Sequence, residues 1–200
     1  MRQAQLIPNF VGQRALVLHR PHAVVDAIAR QLGQLGIACS QSWPEIPAGD
    51  RLFDHLLYDA DMGHDGQFPW PAGASPVPTI ALIGSEAPGR IAWAIQQGAD
   101  AHLLKPVGSA GIYSALVIAA TAFRQRTALE GELAGLRQQI DQRQRLAEAT
   151  ALLMQTQDCT AAQAYALLRK HAMNERTTIE DMAVRLLEQH GGPSERRSRA

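Results

Sequence analysis

The sequence predicts an α/β domain on a parallel five-stranded sheet, then a long coiled-coil helix and a small all-α domain of three helices. Three observations predict it. Short apolar runs alternate with helical patterns over residues 14–120, a proline-free stretch with heptad-like leucines follows, and two capping-box sequences open short segments near the end. Repeated strand–helix alternation requires a parallel sheet with helices on both faces.

Arg14–His19 reads as a buried strand, and Val24, Val25, Ile28, Ala29, Leu32 and Leu35 then recur at helical spacing up to Gly36. Ile37–Ser42, His55–Asp59, Thr79–Gly84 and Ala101–Leu104 are the remaining strands. Gly63–Pro78 is rich in glycine and proline, so the helix that would join the third and fourth strands is expected to be short or irregular. Ile91–Gln97 is helical and ends at Gly98. A further helix is expected from near Ser109, apolar at Ile112, Ala115, Leu116, Ile118 and Ala119.

After Thr121 the character changes. From Phe123 to Met154 there is no proline, and the only glycines are Gly131 and Gly135. Leu129, Leu133, Leu136 and Ile140 follow a 4-3-4 spacing, with Ala147 one heptad beyond Ile140, which predicts a homodimer seam. Arg126 and Arg143 fall on seam positions and limit the apolar length to about two heptads. The alternative is a helix packed on its own domain. Thr160-Ala-Ala-Gln163 and Thr177-Thr-Ile-Glu180 have the capping-box form. The helix after the first is apolar at Ala161, Ala164, Tyr165, Leu168 and Ala172, and the helix after the second at Ile179, Met182, Ala183, Leu186 and Leu187. The expected division is 1–120 for the α/β domain, 121–143 for the coiled-coil linker and 138–190 for the three-helix domain. The polar tail at 191–200 is expected to be disordered.

Composition narrows the function. With 46% hydrophobic and 19% charged residues, the 200-residue chain can bury a core. Its formal net charge is zero, and residues 121–192 hold nine Lys/Arg against nine Asp/Glu. A protein that coats nucleic acid by bulk charge is thereby disfavoured, though a local contact face is not. No apolar run is long enough to span a membrane, and Met1–Arg14 lacks the pattern of an export signal, so a cytoplasmic protein is expected. Cys39 and Cys159 are far apart and in no CxxC pair. His19, His22, His55 and His64 show no zinc-ligand spacing, and no phosphate-binding glycine motif or GxSxG elbow is present. No cofactor, metal or catalytic residue is expected, and the protein is not expected to be an enzyme.

Asp54-His-Leu-Leu-Tyr-Asp59-Ala-Asp-Met62 resembles the third strand of response-regulator receiver domains, a flavodoxin-like fold, with Asp59 at the phospho-acceptor position. Gly98-Ala-Asp-Ala-His-Leu-Leu-Lys105-Pro106 resembles their fifth strand, with Lys105 as the lysine that pairs with phosphate. Phosphoryl transfer to a carboxylate also needs a metal to offset charge. Receivers hold it with an acidic pair after strand one, where this chain reads His19-Arg20-Pro21. A hydroxyl residue is expected at the end of strand four, where Ile83-Gly84-Ser85 leaves the register open. Asp59 and Lys105 are therefore either an acceptor pair or a structural ion pair, and the missing acidic pair favours the second: a pseudo-receiver.

Arg145-Leu-Ala-Glu-Ala149-Thr-Ala-Leu-Leu-Met154 and Ala164-Tyr-Ala-Leu-Leu-Arg169-Lys-His-Ala-Met173 resemble the ANTAR domain, the RNA-binding module of AmiR- and NasT-type antiterminators. The resemblance spans about 138–189. It departs at Thr150, where that family commonly has lysine. Cys39-Ser-Gln-Ser-Trp-Pro44 is similar to the amidase-operon, AmiR-type branch. The resemblance implies a dimer that binds hairpins in a nascent leader transcript and permits read-through, with a small-molecule-sensing protein as regulatory partner. RNA loops are recognised by stacking and phosphate contacts. Arg145, Arg169, Lys170 and Arg176 are the candidate cations, Tyr165 or His171 the stacking surface, and Ala149 and Thr150 the motif positions beside them. Two other readings stay open: a DNA-binding regulator with a helix-turn-helix output, possible for two helices so close in sequence, and a dimeric scaffold that touches no nucleic acid. A phosphorylation-dependent two-component regulator is the further alternative for the first domain.

Overall fold

The computed structural model describes residues 8–47, 52–108 and 110–190. The expected tail at 191–200 and the expected helix start near Ser109 lie outside the described residues. The chain divides into two compact units, Met1–Ala128 and Leu129–Ala200.

In the first unit, β1 (Arg14–Leu18), β2 (Ala38–Ser42), β3 (His55–Asp59), β4 (Thr79–Ile83) and β5 (Ala101–Leu104) form one sheet. Its order is β2-β1-β3-β4-β5 and every pairing is parallel. β3 and β4 are buried along their whole length, which is why they read as continuous apolar runs. On one face Val25, Ile28 and Leu32 of α1 (Ala23–Gln34) join Ile112, Leu116 and Ala119 over Val17, Leu57 and Leu82. α1 ends in a Schellman turn: Gly36 has φ +72°, and the Ile37 N–H reaches the Leu32 carbonyl at 2.9 Å. α2 (Pro88–Gln96) begins three residues before the apolar pattern, because Pro88 supplies the pre-set φ of a first helical residue. It ends in the same turn at Gly98 (φ +81°), where the Ala99 N–H reaches the Ala94 carbonyl at 3.1 Å.

No helix forms over Gly63–Pro78, as the composition predicts. Aromatic rings cover that face of the sheet instead. Phe68 stacks on Trp70 (5.8 Å) and Trp93 (6.3 Å) and meets Tyr58 edge-on at 5.3 Å. A Cβ on Gly63 would collide with the Trp93 ring, so glycine lets α2 lie directly on this segment. Arg90 Nη1 donates to the Gly63 carbonyl (2.8 Å) and Trp93 Nε1 to Asp65 Oδ1 (3.0 Å).

α3 (Ile112–Gln157) is one helix of 46 residues. The change of character at Thr121 is a change of face, not of element. Ile112, Ala115, Leu116 and Ala119 are buried against the sheet, whereas Leu129 to Ile140 are exposed. Arg126 is not a seam residue. Its guanidinium pairs with Asp100 at 3.4 Å and reaches the carbonyls of Gly73 (3.3 Å) and Gly98 (3.5 Å), so it serves the first unit. Burial pushes the Asp100 carboxyl up, opposed by hydrogen bonds from Thr79 and by the Arg126 charge.

In the second unit, α4 (Ala161–Asn174) and α5 (Ile179–Gln189) pack with the end of α3 around Ala149, Leu153, Ala164, Leu168, Ala172, Met182 and Ala183. Ala161 and Tyr165, expected on the packed face of α4, are exposed. Thr160 and Gln163 form the predicted capping box. The second box is one residue out of register: the cap of α5 is Thr178, whose Oγ1 accepts the Asp181 N–H at 3.1 Å. Thr177 is already engaged, because its N–H closes α4 onto the Ala172 carbonyl at 3.0 Å. In that Schellman turn Arg176 takes the left-handed position (φ +52°) that glycine fills elsewhere.

Candidate functional site

The parallel sheet brings its functional residues to the carboxyl ends of its strands, where such folds place their chemistry. Asp59 ends β3 and is 1% exposed. Its Oδ1 accepts from Lys105 Nζ (2.7 Å) and from the Asp61 N–H (3.0 Å), and its Oδ2 lies 3.1 Å from His19 Nε2. His19, buried at the end of β1, fills the space between Asp59 and the Arg20 carbonyl, 2.6 Å from Nδ1. Lys105, just past β5, also pairs with Asp61 Oδ2 at 2.6 Å. The pair expected from the sequence, Asp59 with Lys105, is thus part of a four-residue network whose other members, His19 and Asp61, the sequence reasoning missed. The Asp-x-Asp spacing and a histidine ending a buried strand were the available signals.

This arrangement does not suit the divalent ion a receiver uses. Mg²⁺ takes oxygen ligands in an octahedron, but the position after β1 offers an imidazole committed to Asp59 and an exposed Arg20. Both Asp59 oxygens are also spent on internal partners. Ser85, the candidate hydroxyl after β4, sends its backbone N–H to Asp61 Oδ1 (3.0 Å), while its Oγ accepts from the Ala87 N–H (3.4 Å). Burial by itself would raise the Asp61 carboxyl. Hydrogen bonds from Lys105, Ser85 and Gly84, with the Lys105 charge, hold it below the usual carboxylate range.

The second unit carries the other candidate residues. Arg169 and Lys170 are exposed on α4, and Tyr165 stands one turn before Arg169 with 45% of its surface free. Arg176 is exposed at the turn after α4. Ala149 is fully buried and packs in the core of its unit. Thr150 is half-buried and its hydroxyl donates to the Leu146 carbonyl at 2.7 Å. Arg145 and Arg137 line a groove with Asp141, Glu180 and Asp181, so three carboxylates oppose a phosphate there against two guanidiniums. Arg143, Ala147, Thr150 and Met154 line a different groove. The structure therefore groups Tyr165, Arg169 and Lys170 on one helix and leaves Arg145 and Thr150 in two other settings. Leu129, Leu133, Leu136 and Ile140 are 60%, 51%, 49% and 63% exposed, an apolar row on α3 with nothing over it within its unit.

With this geometry in place, comparison with known proteins is informative. Residues 134–187 match the ANTAR domain, and residues 13–120 match the family described as AmiR, N-terminal. The transcriptional regulatory protein PdtaR of Mycobacterium tuberculosis is 31% identical over 118 residues, 59% of this chain and 58% of PdtaR. The chain thus spans little more than half the length of that relative. The aliphatic amidase regulator of Pseudomonas aeruginosa is 27% identical over 193 residues, 94% of this chain and 97% of that protein. Both are named as regulators. Full-length FixJ from B. japonicum aligns with a TM-score of 0.45 and 16% identity over 90% of this chain and 98% of that one, too distant to bear on function. No helix among the described residues is long and apolar enough to cross a membrane. The AmiR N-terminal match alone takes in more than half of the chain, and the chain belongs to the AmiR family of ANTAR-domain regulators.

Proposed function

We propose that this protein is a transcription antiterminator that binds hairpins of a nascent leader RNA as a homodimer and is controlled by a ligand-sensing protein partner, not by phosphate. The observation that carries the reading is an ANTAR domain in the same chain as an AmiR-type domain whose acceptor-position carboxylate is buried and fully engaged. Working on a nascent transcript places it in the cytoplasm. The exposed row Leu129, Leu133, Leu136 and Ile140 supports a dimer, since such a stripe on a helix is covered when two copies pair. Tyr165, Arg169 and Lys170 supply the stacking surface and phosphate contacts that RNA loops require, with Arg176 beside them in sequence. Buried Ala149 and the internally bonded Thr150 support the fold under that face, and Arg145 is the weakest of the candidate cations for the reason given above.

The test is a mobility shift with the leader hairpin RNA and its duplex DNA at one stated salt concentration. RNA is expected to bind more tightly. Arg169→Ala is expected to weaken hairpin binding by about fivefold or more, a loss of about 1 kcal/mol. Asp59→Asn should leave binding and read-through intact. Tighter binding of DNA would replace this reading with a helix-turn-helix one, and no binding of either with a scaffold. Loss of read-through in Asp59→Asn alone would restore phosphate as the input.

A further inference from the structure

Two residues past Asp59, a second carboxylate occupies a place with the makings of a ligand site. Asp61 Oδ2 accepts the Gly84 N–H at 2.8 Å and Lys105 Nζ at 2.6 Å, and Oδ1 accepts the Ser85 N–H at 3.0 Å. Two consecutive backbone N–H groups and an ammonium converging on one point make an oxyanion cradle. Gly84 is part of it. A Cβ there would stand 2.8 Å from Asp61 Oδ2 and 3.2 Å from Lys105 Cε, so glycine lets the loop after β4 close onto the loop after β3. A phosphate-class anion presents a pair of oxygens spaced much as those of a carboxylate are. Without the Asp61 side chain, the Gly84 and Ser85 N–H groups would lose their acceptor, and Lys105 would face Asp59 alone.

We propose that the Asp61 carboxylate is a built-in occupant of an oxyanion site formed by Gly84 N–H, Ser85 N–H and Lys105. Vacating it creates a site for phosphate or sulfate. The loops after β3 and β4 are thereby tied to each other without any phosphoryl donor. The occupant is tethered, so its effective concentration exceeds that of free millimolar anions and it excludes them. This inference does not rest on the RNA reading, and its readouts involve no RNA.

The experiment titrates inorganic phosphate into the full chain, into Asp61→Ala and into Asp61→Ala combined with Lys105→Met. It follows the Gly84 and Ser85 amide resonances and the urea midpoint of tryptophan fluorescence. Asp61→Ala is expected to shift both amides saturably and to gain midpoint with phosphate, binding at least about tenfold more tightly than the unaltered chain. The double variant should lose that response. Equal phosphate binding by the unaltered chain and Asp61→Ala, or no response in a folded Asp61→Ala, would overturn the proposal. If Asp61→Ala does not fold, the unaltered chain still decides. On acidification the Gly84 and Ser85 amides should move with the Asp61 carboxyl titration, which Lys105→Met should shift upward. Amides that ignore that titration would refute the cradle.

Discussion

Asp59→Ala is the substitution that separates a structural carboxylate from a free phospho-acceptor. Asp59 is 1% exposed and accepts from Lys105 (2.7 Å) and the Asp61 N–H (3.0 Å), with His19 3.1 Å from its other oxygen. Removing one partner of a buried ion pair costs about 3–5 kcal/mol when the remaining charge is left uncompensated. Here Lys105 keeps Asp61 at 2.6 Å and its side chain is 18% exposed, so the ammonium is not stranded. What is stranded is the 3%-exposed His19 ring and one backbone N–H beside a carboxyl-sized void. The loss should therefore fall below that range, at about 2–3 kcal/mol. Asp59→Asn keeps the volume and one acceptor and should lose about half as much. The assay is urea unfolding followed by tryptophan fluorescence. Trp43, Trp70 and Trp93 all belong to the first unit, so the signal reports that unit alone. With a slope near that of a small domain, the midpoint should fall by about 1–2 M. An Asp59→Ala midpoint within about 0.3 M of the unaltered chain would refute the reasoning and leave the carboxylate free to act as an acceptor.

Leu136→Lys should halve the sedimenting mass while leaving the helical circular dichroism unchanged, because the side chain is 49% exposed and lies outside the core of its unit. Arg176→Gly relieves a left-handed non-glycine residue (φ +52°) and should stabilise the second unit by about 0.5–1 kcal/mol, read as a higher midpoint of helix melting, while lowering hairpin affinity. Gly63→Ala forces a methyl against the Trp93 ring and should cost about 1–3 kcal/mol by the tryptophan assay. Asp61 is held below the ordinary carboxylate range, so its contribution to stability is present above the unfolded value of about 4 and is lost as the pH falls through the lower folded value. The tryptophan midpoint should drop across that acid window, and Lys105→Met should flatten the drop.

Strand positions were legible to within a residue because β1, β3, β4 and β5 are short apolar runs bounded by glycine, proline or polar residues. The mostly exposed β2 is set instead by the helix stop at Gly36 just before it. The helix replaced by an irregular segment was equally legible from Gly63–Pro78. What stayed hidden depends on tertiary placement. Heptad arithmetic sets Arg126 on a seam, but its partner Asp100 lies 26 residues away and only the fold brings them together. A motif match does not distinguish a small residue that packs from one that touches RNA, and Ala149 packs. The network around Asp59 draws on β1, β3, β5 and the loop after β4. Its pair of acids was visible as Asp-x-Asp and its histidine as the polar end of a buried strand, but nothing in the sequence shows that they meet or which backbone donors join them. The cap of α5 moved from Thr177 to Thr178 because the preceding turn had already taken the Thr177 N–H, which a local capping pattern does not register.

The electrostatics of that network bear on what kind of signal the first unit can take. Asp59 Oδ1 and Asp61 Oδ2 both touch Lys105 Nζ, at 2.7 and 2.6 Å, so the two oxygens are at most about 5 Å apart. Phosphorylating Asp59 would replace a carboxylate charge of −1 with an acyl phosphate of about −1.5 to −2, a net gain of roughly half to one negative charge. At an effective dielectric constant near 20, each added unit at that distance from Asp61 costs roughly 3 kcal/mol. Lys105, the cation set between the two carboxylates, already faces both. The metal that offsets this repulsion in a phosphoryl-accepting carboxylate site finds no carboxylate on the β1 side among the described residues, where His19 and Arg20 stand. Phosphorylation would thus have to displace Asp61 from Gly84 and Ser85 before it stabilised anything. A protein contact demands no such charge change. It can use apolar surface that the first unit leaves in water, such as Ile95 on α2, Leu104 on β5 and Ile118 on α3, which are 70%, 53% and 57% exposed. On these energies phosphorylation is the costly input, and the hold of Asp61 on Gly84 and Ser85 is part of that cost.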